Sequence, residues 1–249
     1  MTPRRAGIVL QARLASSRLP GKALAAVGER PILEQCLRRL MASRVAPVIL
    51  ATTHRVEDDA LVEVARTLGA AVTRGSDADV LGRVARCAIE HELDDVVRAT
   101  ADNPGVDVHA PARVLAALRE HAADYAFEEG LPYGAAVEGV TRDALLRAAV
   151  LATDRDDREH VTPFVRRRAD LFRVVRIAAP VSIARPDVRL TVDTEEDLER
   201  MRALYRLASP DMPSVRELIL AWDRGAWTDD ADRVIAACGA LQVPFRSGP

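Results

Sequence analysis

"AGIVLQARLASSRLPGKAL", residues 6–24, decides how the rest of the chain is read. Its first seven residues form an apolar run that predicts a buried strand. The next stretch is a turn-rich loop carrying Ser16, Ser17, Pro20 and Gly21, with Arg13, Arg18 and Lys22 among them and Arg5 just upstream. Two readings compete for such a loop. It is a solvated connection, or it is a cradle in which backbone N–H groups and cationic heads hold phosphates.

The flanking sequence repeats one pattern. "PILEQCLRRLMAS" (31–43) puts Ile32, Leu33, Cys36, Leu37 and Leu40 on one helical face. "APVILATT" (46–53), "AAVTRG" (70–75) and "DDVVRATAD" (94–102) read as strands. "EDDALVEVARTLG" (57–69), "DADVLGRVARCAIEHE" (77–92) and "VHAPARVLAALREHA" (108–122) read as the helices after them. Four β-then-α units in succession predict a doubly wound α/β fold: a mostly parallel, mixed sheet with helices on both faces.

The second half is less regular. Residues 124–141 predict a strand, a loop and another strand before the helix "RDALLRAAVLA" (142–152). A polar segment, 153–177, then leads to a strand-like "VRLTV" (188–192). "DTEEDLERMRALYRLA" (193–208) is a helix announced by Thr194 as N-cap and Asp197 three residues on. Segments 214–225 and 229–241 read as covering helices. The expectation is one domain over 1–249, with 125–185 as an acceptor or dimerisation subregion and 209–249 as C-terminal cover.

Composition bounds the function. Hydrophobic residues make up 49% and charged residues 29%, as in globular proteins. Aromatics are 4% and the net charge is -2, which argues against stacking platforms and against a surface that attracts nucleic acid. Cys36, Cys87 and Cys238 stand far apart without ligand spacing, so buried thiols are expected rather than zinc or disulfides. The N-terminal apolar run is too short for a signal peptide and no stretch reaches membrane-spanning length, so a cytoplasmic protein is expected.

In an open parallel sheet, ligands bind at the carboxyl ends of the strands, near the point where strand order reverses. Three features fall on that edge: the cationic loop, Asp102 at the end of "TADNPGVD", and Asp193 between a strand and a helix start. Two carboxylates there suit a Mg²⁺ that shares oxygens with a nucleotide's phosphates. Each alone is ordinary, since strand-end aspartates also cap helices. No GxxxxGK[ST] and no GxGxxG is present, which removes the P-loop ATPase and dinucleotide dehydrogenase readings.

"QARLASSRLPGKAL" resembles the N-terminal signature of sugar nucleotidyltransferases, nearest to the spore-coat-polysaccharide (SpsF-type) cytidylyltransferases and, further off, to CMP-Kdo and CMP-sialate synthetases. Against Q-A-R-x-x-S-T-R-L-P-G-K-x-L, only Ser17 differs, replacing threonine. "VILATTHRVEDDAL", "TRGSDADVLGRV", "RATADNPGVD", "DREHVTPFVRRRADLFRV" and "RLTVDTEEDLERMRAL" occur in the family's order, to about residue 205. The resemblance implies a nucleotide-diphospho-sugar transferase-like fold and Mg²⁺-dependent transfer of CMP from CTP to a small acidic acceptor, with release of pyrophosphate.

Carried over, Gln11 and Ala12 belong to the nucleotide site, and Arg13, Ser17, Arg18 and Lys22 hold the triphosphate, with Arg18 and Lys22 offsetting charge on the departing pyrophosphate. Ser76, Asp79 and Arg83 lie near base and ribose, and Asp102 and Asp193 hold the metal. Glu138, Arg158, Glu159 and His160 bind the acceptor; the alternative is an internal Arg158–Glu159 ion pair with His160 as a cap. A homodimer is implied, with Phe164, Leu171 and Phe172 as candidate contacts. Two departures matter. "ADNP" stands where the family has "GDCP", and Ala136 replaces an acidic residue of a G-x-D-x-E-V pattern, which points to a different or smaller acceptor. The competing readings are a nucleotide-binding regulatory protein without turnover and a glycosyltransferase consuming a nucleotide sugar. The base is read mainly by backbone groups, so another NTP stays open.

Overall fold

The computed structural model describes residues 4–208 and 211–225. Its elements run β1 (Ala6–Gln11), a short hairpin of β2 (Ala26–Val27) and β3 (Arg30–Pro31), α1 (Ile32–Ala42), β4 (Val48–Thr53), α2 (Asp59–Thr67), β5 (Ala71–Gly75), α3 (Val80–Glu90), β6 (Asp95–Thr100) and α4 (Ala110–Glu120). They continue with β7 (Tyr125–Glu129), β8 (Glu138–Thr141), α5 (Arg142–Leu151), α6 (Arg155–His160), α7 (Pro163–Arg167), β9 (Val174–Ala178), α8 (Glu195–Leu207) and α9 (Val215–Asp223).

Seven strands form the main sheet in the order β5-β4-β1-β6-β8-β7-β9. Every pairing is parallel except those of β8, which runs antiparallel to both β6 and β7. The expected mixed, doubly wound sheet is what forms. Alternation along the strands explains its two covered faces. Ile8, Leu10 and Leu50 join the core under α1, α2, α4 and α8, while Val9, Ile49 and Val96 join the one under α3 and α5.

Sequence and structure part company between 153 and 192. The polar segment holds α6, α7 and the edge strand β9, whose half-exposed residues give no clean period-2 signal. "VRLTV" does not become a strand of the sheet. Its backbone bonds go to loops instead: Tyr133 N–H donates to Val188 O, Leu190 N–H to Tyr133 O, and Val192 N–H to Asp102 O at 2.8 Å. Gly134 permits this, with φ +97° and a position where an added Cβ would sit 2.7 Å from Thr191 N. The capping box at α8 forms as expected, Thr194 and Asp197 exchanging side-chain and backbone bonds. A second box, Ser214 with Glu217, opens α9. Of Phe164, Leu171 and Phe172, the candidate contacts between copies, the two phenylalanines pack edge to face inside the chain and are buried, and Leu171 is partly buried against the same core. Segment 229–241 and Cys238 lie outside the described residues.

Candidate active site

β1 has β4 on one side and β6 on the other, so strand order reverses between β1 and β6. At their carboxyl ends Ala101 N–H donates to Gln11 O, fixing the two exits side by side. The loop after β1 is folded by its own backbone, with Ser16 and Gly21 N–H both donating to Leu14 O. Asp58 anchors it from below by accepting from Leu14 N–H at 2.8 Å. Gly21, in the left-handed region at φ +73°, then turns the chain so that Lys22 points back at the sheet edge.

Lys22 Nζ lies 3.0 Å from Asp102 Oδ2, 3.0 Å from Asp193 Oδ1 and 2.8 Å from Val192 O. The Val192–Asp102 backbone bond is what brings these two carboxylates, 91 positions apart, to one cation. Arg18 adds a contact to Asp193 Oδ1 at 2.9 Å, and Arg189 donates to Asp193 Oδ2 at 3.0 Å. Burial alone would raise the Asp193 pKa. The Lys22 hydrogen bond and charge, with Arg18 and Arg189, outweigh it and hold the carboxyl below the usual range.

A cleft of about 700 Å³ opens from this point. On one wall, Arg13 donates to Glu159 Oε1 at 2.7 Å and to Asp77. Beside it lies Arg83, buried, with one N–H on Ser76 O and its Nε without any partner. Burial, then the nearby Arg13, lowers the Arg83 pKa below the ordinary arginine value. On the floor, Arg98 of β6 joins Gln11 Oε1 at 2.9 Å and Glu138. Glu138 also accepts from the Tyr125 hydroxyl and, through both oxygens at 3.0 Å, from Thr162. Desolvation would raise its pKa; Arg98's charge and these hydrogen bonds hold it down instead.

The cleft therefore gathers most of the residues singled out in the sequence. Gln11, Ala12, Arg13, Ser17, Arg18, Lys22, Arg83, Asp102, Glu138, Glu159, His160 and Asp193 all border it. Ser76, Asp79 and Arg158 do not. Asp79 caps α3, accepting from Gly82 N–H, and its other oxygen takes Arg158. Arg158 further donates to Ala149 O and Ala152 O, tying α6 to the end of α5. The ion pairs are thus Arg158–Asp79 and Arg13–Glu159, not the alternative Arg158–Glu159 pair. Arg5, counted with the loop's charges, sits before β1 and pairs with Glu92.

Sequence reasoning missed Arg98, Thr162, Phe127 and Arg166. Arg98 had a signal: a lone arginine inside the apolar strand "DDVVRATAD", where a charge is costly without a partner. Arg166 lies with its guanidinium 4.4 Å over the Phe127 ring at the cleft border. That pairing joins α7 to β7 and leaves no local pattern to read.

The donor chemistry of the carboxylate pair decides whether it suits a metal. Mg²⁺ is held by one or two carboxylates plus water and substrate phosphate rather than by an all-protein cage. No group of three or more His, Cys, Asp or Glu able to hold a metal ion occurs among the described residues. Asp102 and Asp193, two oxygens within reach of one cation beside a cationic loop, fit the shared mode.

The family model described as "Cytidylyltransferase" matches residues 6–216. The spore coat polysaccharide biosynthesis protein SpsF of Bacillus subtilis is 33% identical over 224 residues, covering 87% of this chain and 93% of that protein. The 3-deoxy-manno-octulosonate cytidylyltransferase of Xanthobacter autotrophicus is 29% identical over 255 residues, covering 94% and 95%. A cytidylyltransferase structure from Leptospira borgpetersenii superposes with a TM-score of 0.82 at 25% identity, covering 98% of this chain and all of that one. The chain belongs to the cytidylyltransferase family and is an enzyme that uses CTP for nucleotidyl transfer.

Proposed function

We propose that this cytidylyltransferase depends on Mg²⁺ and transfers CMP from CTP to a small acidic acceptor, releasing pyrophosphate. One observation carries the reading: Asp102 and Asp193 converge on Lys22 at the strand-order reversal, where Lys22, Arg18 and Arg189 face them. Lys22 and Arg18 balance these two carboxylates, Arg189 being shared with Asp197, so both cations are freed for a triphosphate once a metal takes over the carboxylates.

In this reading Gln11 and Ala12 border the nucleotide, Arg13, Ser17, Arg18 and Lys22 hold its triphosphate, and Arg18 and Lys22 offset charge as pyrophosphate leaves. Arg83, which borders the cleft, lies near base and ribose, with Ser76 and Asp79 behind it at the start of α3. Asp102 and Asp193 would hold Mg²⁺, which supplies a Lewis acid at the phosphate oxygens. No enzyme nucleophile is required. An acceptor oxygen attacks the α-phosphorus, and the protein contributes position and electrostatics.

The acceptor end is bordered by Glu138, Glu159, His160 and Arg166. Arg166, whose guanidinium lies over Phe127 at the cleft border, favours an acidic group there. Ala136, where the family carries an acidic residue, leaves that group less opposed. Arg158 acts as a brace for α6 rather than as a contact. The sugar acid named in the Xanthobacter relative is of the same acidic class. A homodimer belongs to this reading, and sedimentation tests it.

Pyrophosphate release is the test, with Mg²⁺, each of CTP, UTP, ATP and GTP, and a panel of acidic sugars, sugar phosphates and phosphonates. Release with CTP and one acidic acceptor class is expected. Release with a neutral sugar alone, or with another nucleotide in preference to CTP, contradicts the reading. Calorimetric binding of CTP with silence across the panel would place the acceptor outside these acidic classes and contradict that part of the reading.

A further inference from the structure

An ammonium has three N–H donors and no acceptor. Lys22 spends all three inside the protein, on Asp102, Asp193 and Val192 O. Its side chain is only 13% exposed, so water does not compete for them. The lysine thus stands on the same two oxygens that a metal would need. Arg18 and Arg189 crowd the remaining lone pairs of Asp193.

Charge sets the order of binding. Lys22 and Arg18 cancel the two carboxylates, and Arg189, bidentate to Asp197, leaves no charge unbalanced, so a free divalent ion meets no net negative field there. A triphosphate makes the field negative. It also offers acceptors onto which Lys22, on a flexible four-carbon stem, can move without losing hydrogen bonds.

The geometry points to Lys22 as the resting counter-ion of the carboxylate pair: it keeps the metal position closed until a nucleoside triphosphate arrives, so that the metal loads with the nucleotide and never before it. The inference rests on Asp102 and Asp193 being the metal ligands. It adds that nucleotide and metal are coupled through one side chain. By linkage, each ligand then raises the affinity of the other by the same factor.

The probe is Mn²⁺ alone, titrated into the full chain without nucleotide and followed by loss of the free-ion paramagnetic resonance signal. Wild type is expected to show only weak, surface-type binding. Lys22→Met is expected to gain one site, tighter by roughly tenfold or more, as one unit charge is removed at contact distance. Lys22→Met combined with Asp102→Asn should lose that gain. A tight Mn²⁺ site in nucleotide-free wild type overturns the proposal, and needs no variant to fold. So does a Lys22→Met protein that melts cooperatively yet gains nothing.

Asp102→Asn and Asp193→Asn, titrated with Mn²⁺ and CTP together, separate this from the underlying reading. If both weaken the ternary complex while Lys22→Met gains no site, only the counter-ion role fails. If neither weakens it, the metal reading fails first and the counter-ion role with it.

Discussion

Two ionic centres lie in the same cleft and behave as opposites. At the mouth, Lys22 joins Asp102 and Asp193, with Arg18 reaching in from a side chain that is 64% exposed. On the floor, Glu138 takes Arg98, Tyr125 and Thr162, and Arg98 is further fixed by Gln11. The first centre is held by long, flexible cations that can change partners. The second is saturated by groups from four separate elements or loops and has nothing left to exchange. Similar residue types therefore serve different ends. Freedom to swap partners marks where ligand chemistry happens, and saturation marks the scaffold beneath it.

Breaking each centre should give different kinds of damage. Asp102→Asn or Asp193→Asn is expected to lower pyrophosphate release by roughly a thousandfold, the scale of losing one preorganised electrostatic contact. Melting should stay cooperative. A variant of either residue that turns over at the wild-type rate would erase the distinction. Glu138→Ala should instead strike the fold, costing about 3 kcal/mol in urea unfolding, because it leaves the Arg98 charge without its carboxylate. Glu138→Gln should cost less, since the amide oxygen still accepts from Tyr125 or Thr162.

Arg158→Ala sharpens the same contrast. Loss of the Asp79 pair and two carbonyl bonds predicts about 1–2 kcal/mol of destabilisation, with the KM for CTP unchanged. A large KM effect with unaltered stability would move Arg158 from brace to contact.

The smallest effect is on acid stability. Asp193, Asp197 and Glu138 all have pKa values held below the ordinary carboxylate range. Groups of this kind stabilise the fold fully above their unfolded pKa, and that contribution is lost as pH falls through the lower folded value. Unfolding midpoints should therefore change little through these groups above about pH 5 and fall below about pH 4. Asp193→Asn and Glu138→Gln should each flatten the fall.

The same contrast explains what was legible in the sequence. The mouth is built from short stretches with strong local grammar. The strand-loop "GIVLQARLASSRLPGK", the turn "TADNPG" and the capping box "DTEED" each announce themselves. Periodicity and turn chemistry also gave the β-α order through α4. The floor and the wall depend on contacts between distant residues: Thr162 meets Glu138 across 24 positions on the floor, and Arg13 meets Glu159 across 146 on the wall. No local spacing encodes such pairs. The segment 188–192 misled for the same reason. Its alternation is that of a strand, but its partners are loops, because Gly134 lets the backbone of 133–135 approach it.

The most direct test of metal-linked nucleotide binding is calorimetric titration of CTP into the full chain with and without Mg²⁺, in wild type and in Asp102→Asn and Asp193→Asn. Mg²⁺ is predicted to strengthen CTP binding in wild type, and either substitution to remove most of this gain. Binding that ignores Mg²⁺, or a Mg²⁺ effect that survives both substitutions, would contradict a metal held by this carboxylate pair.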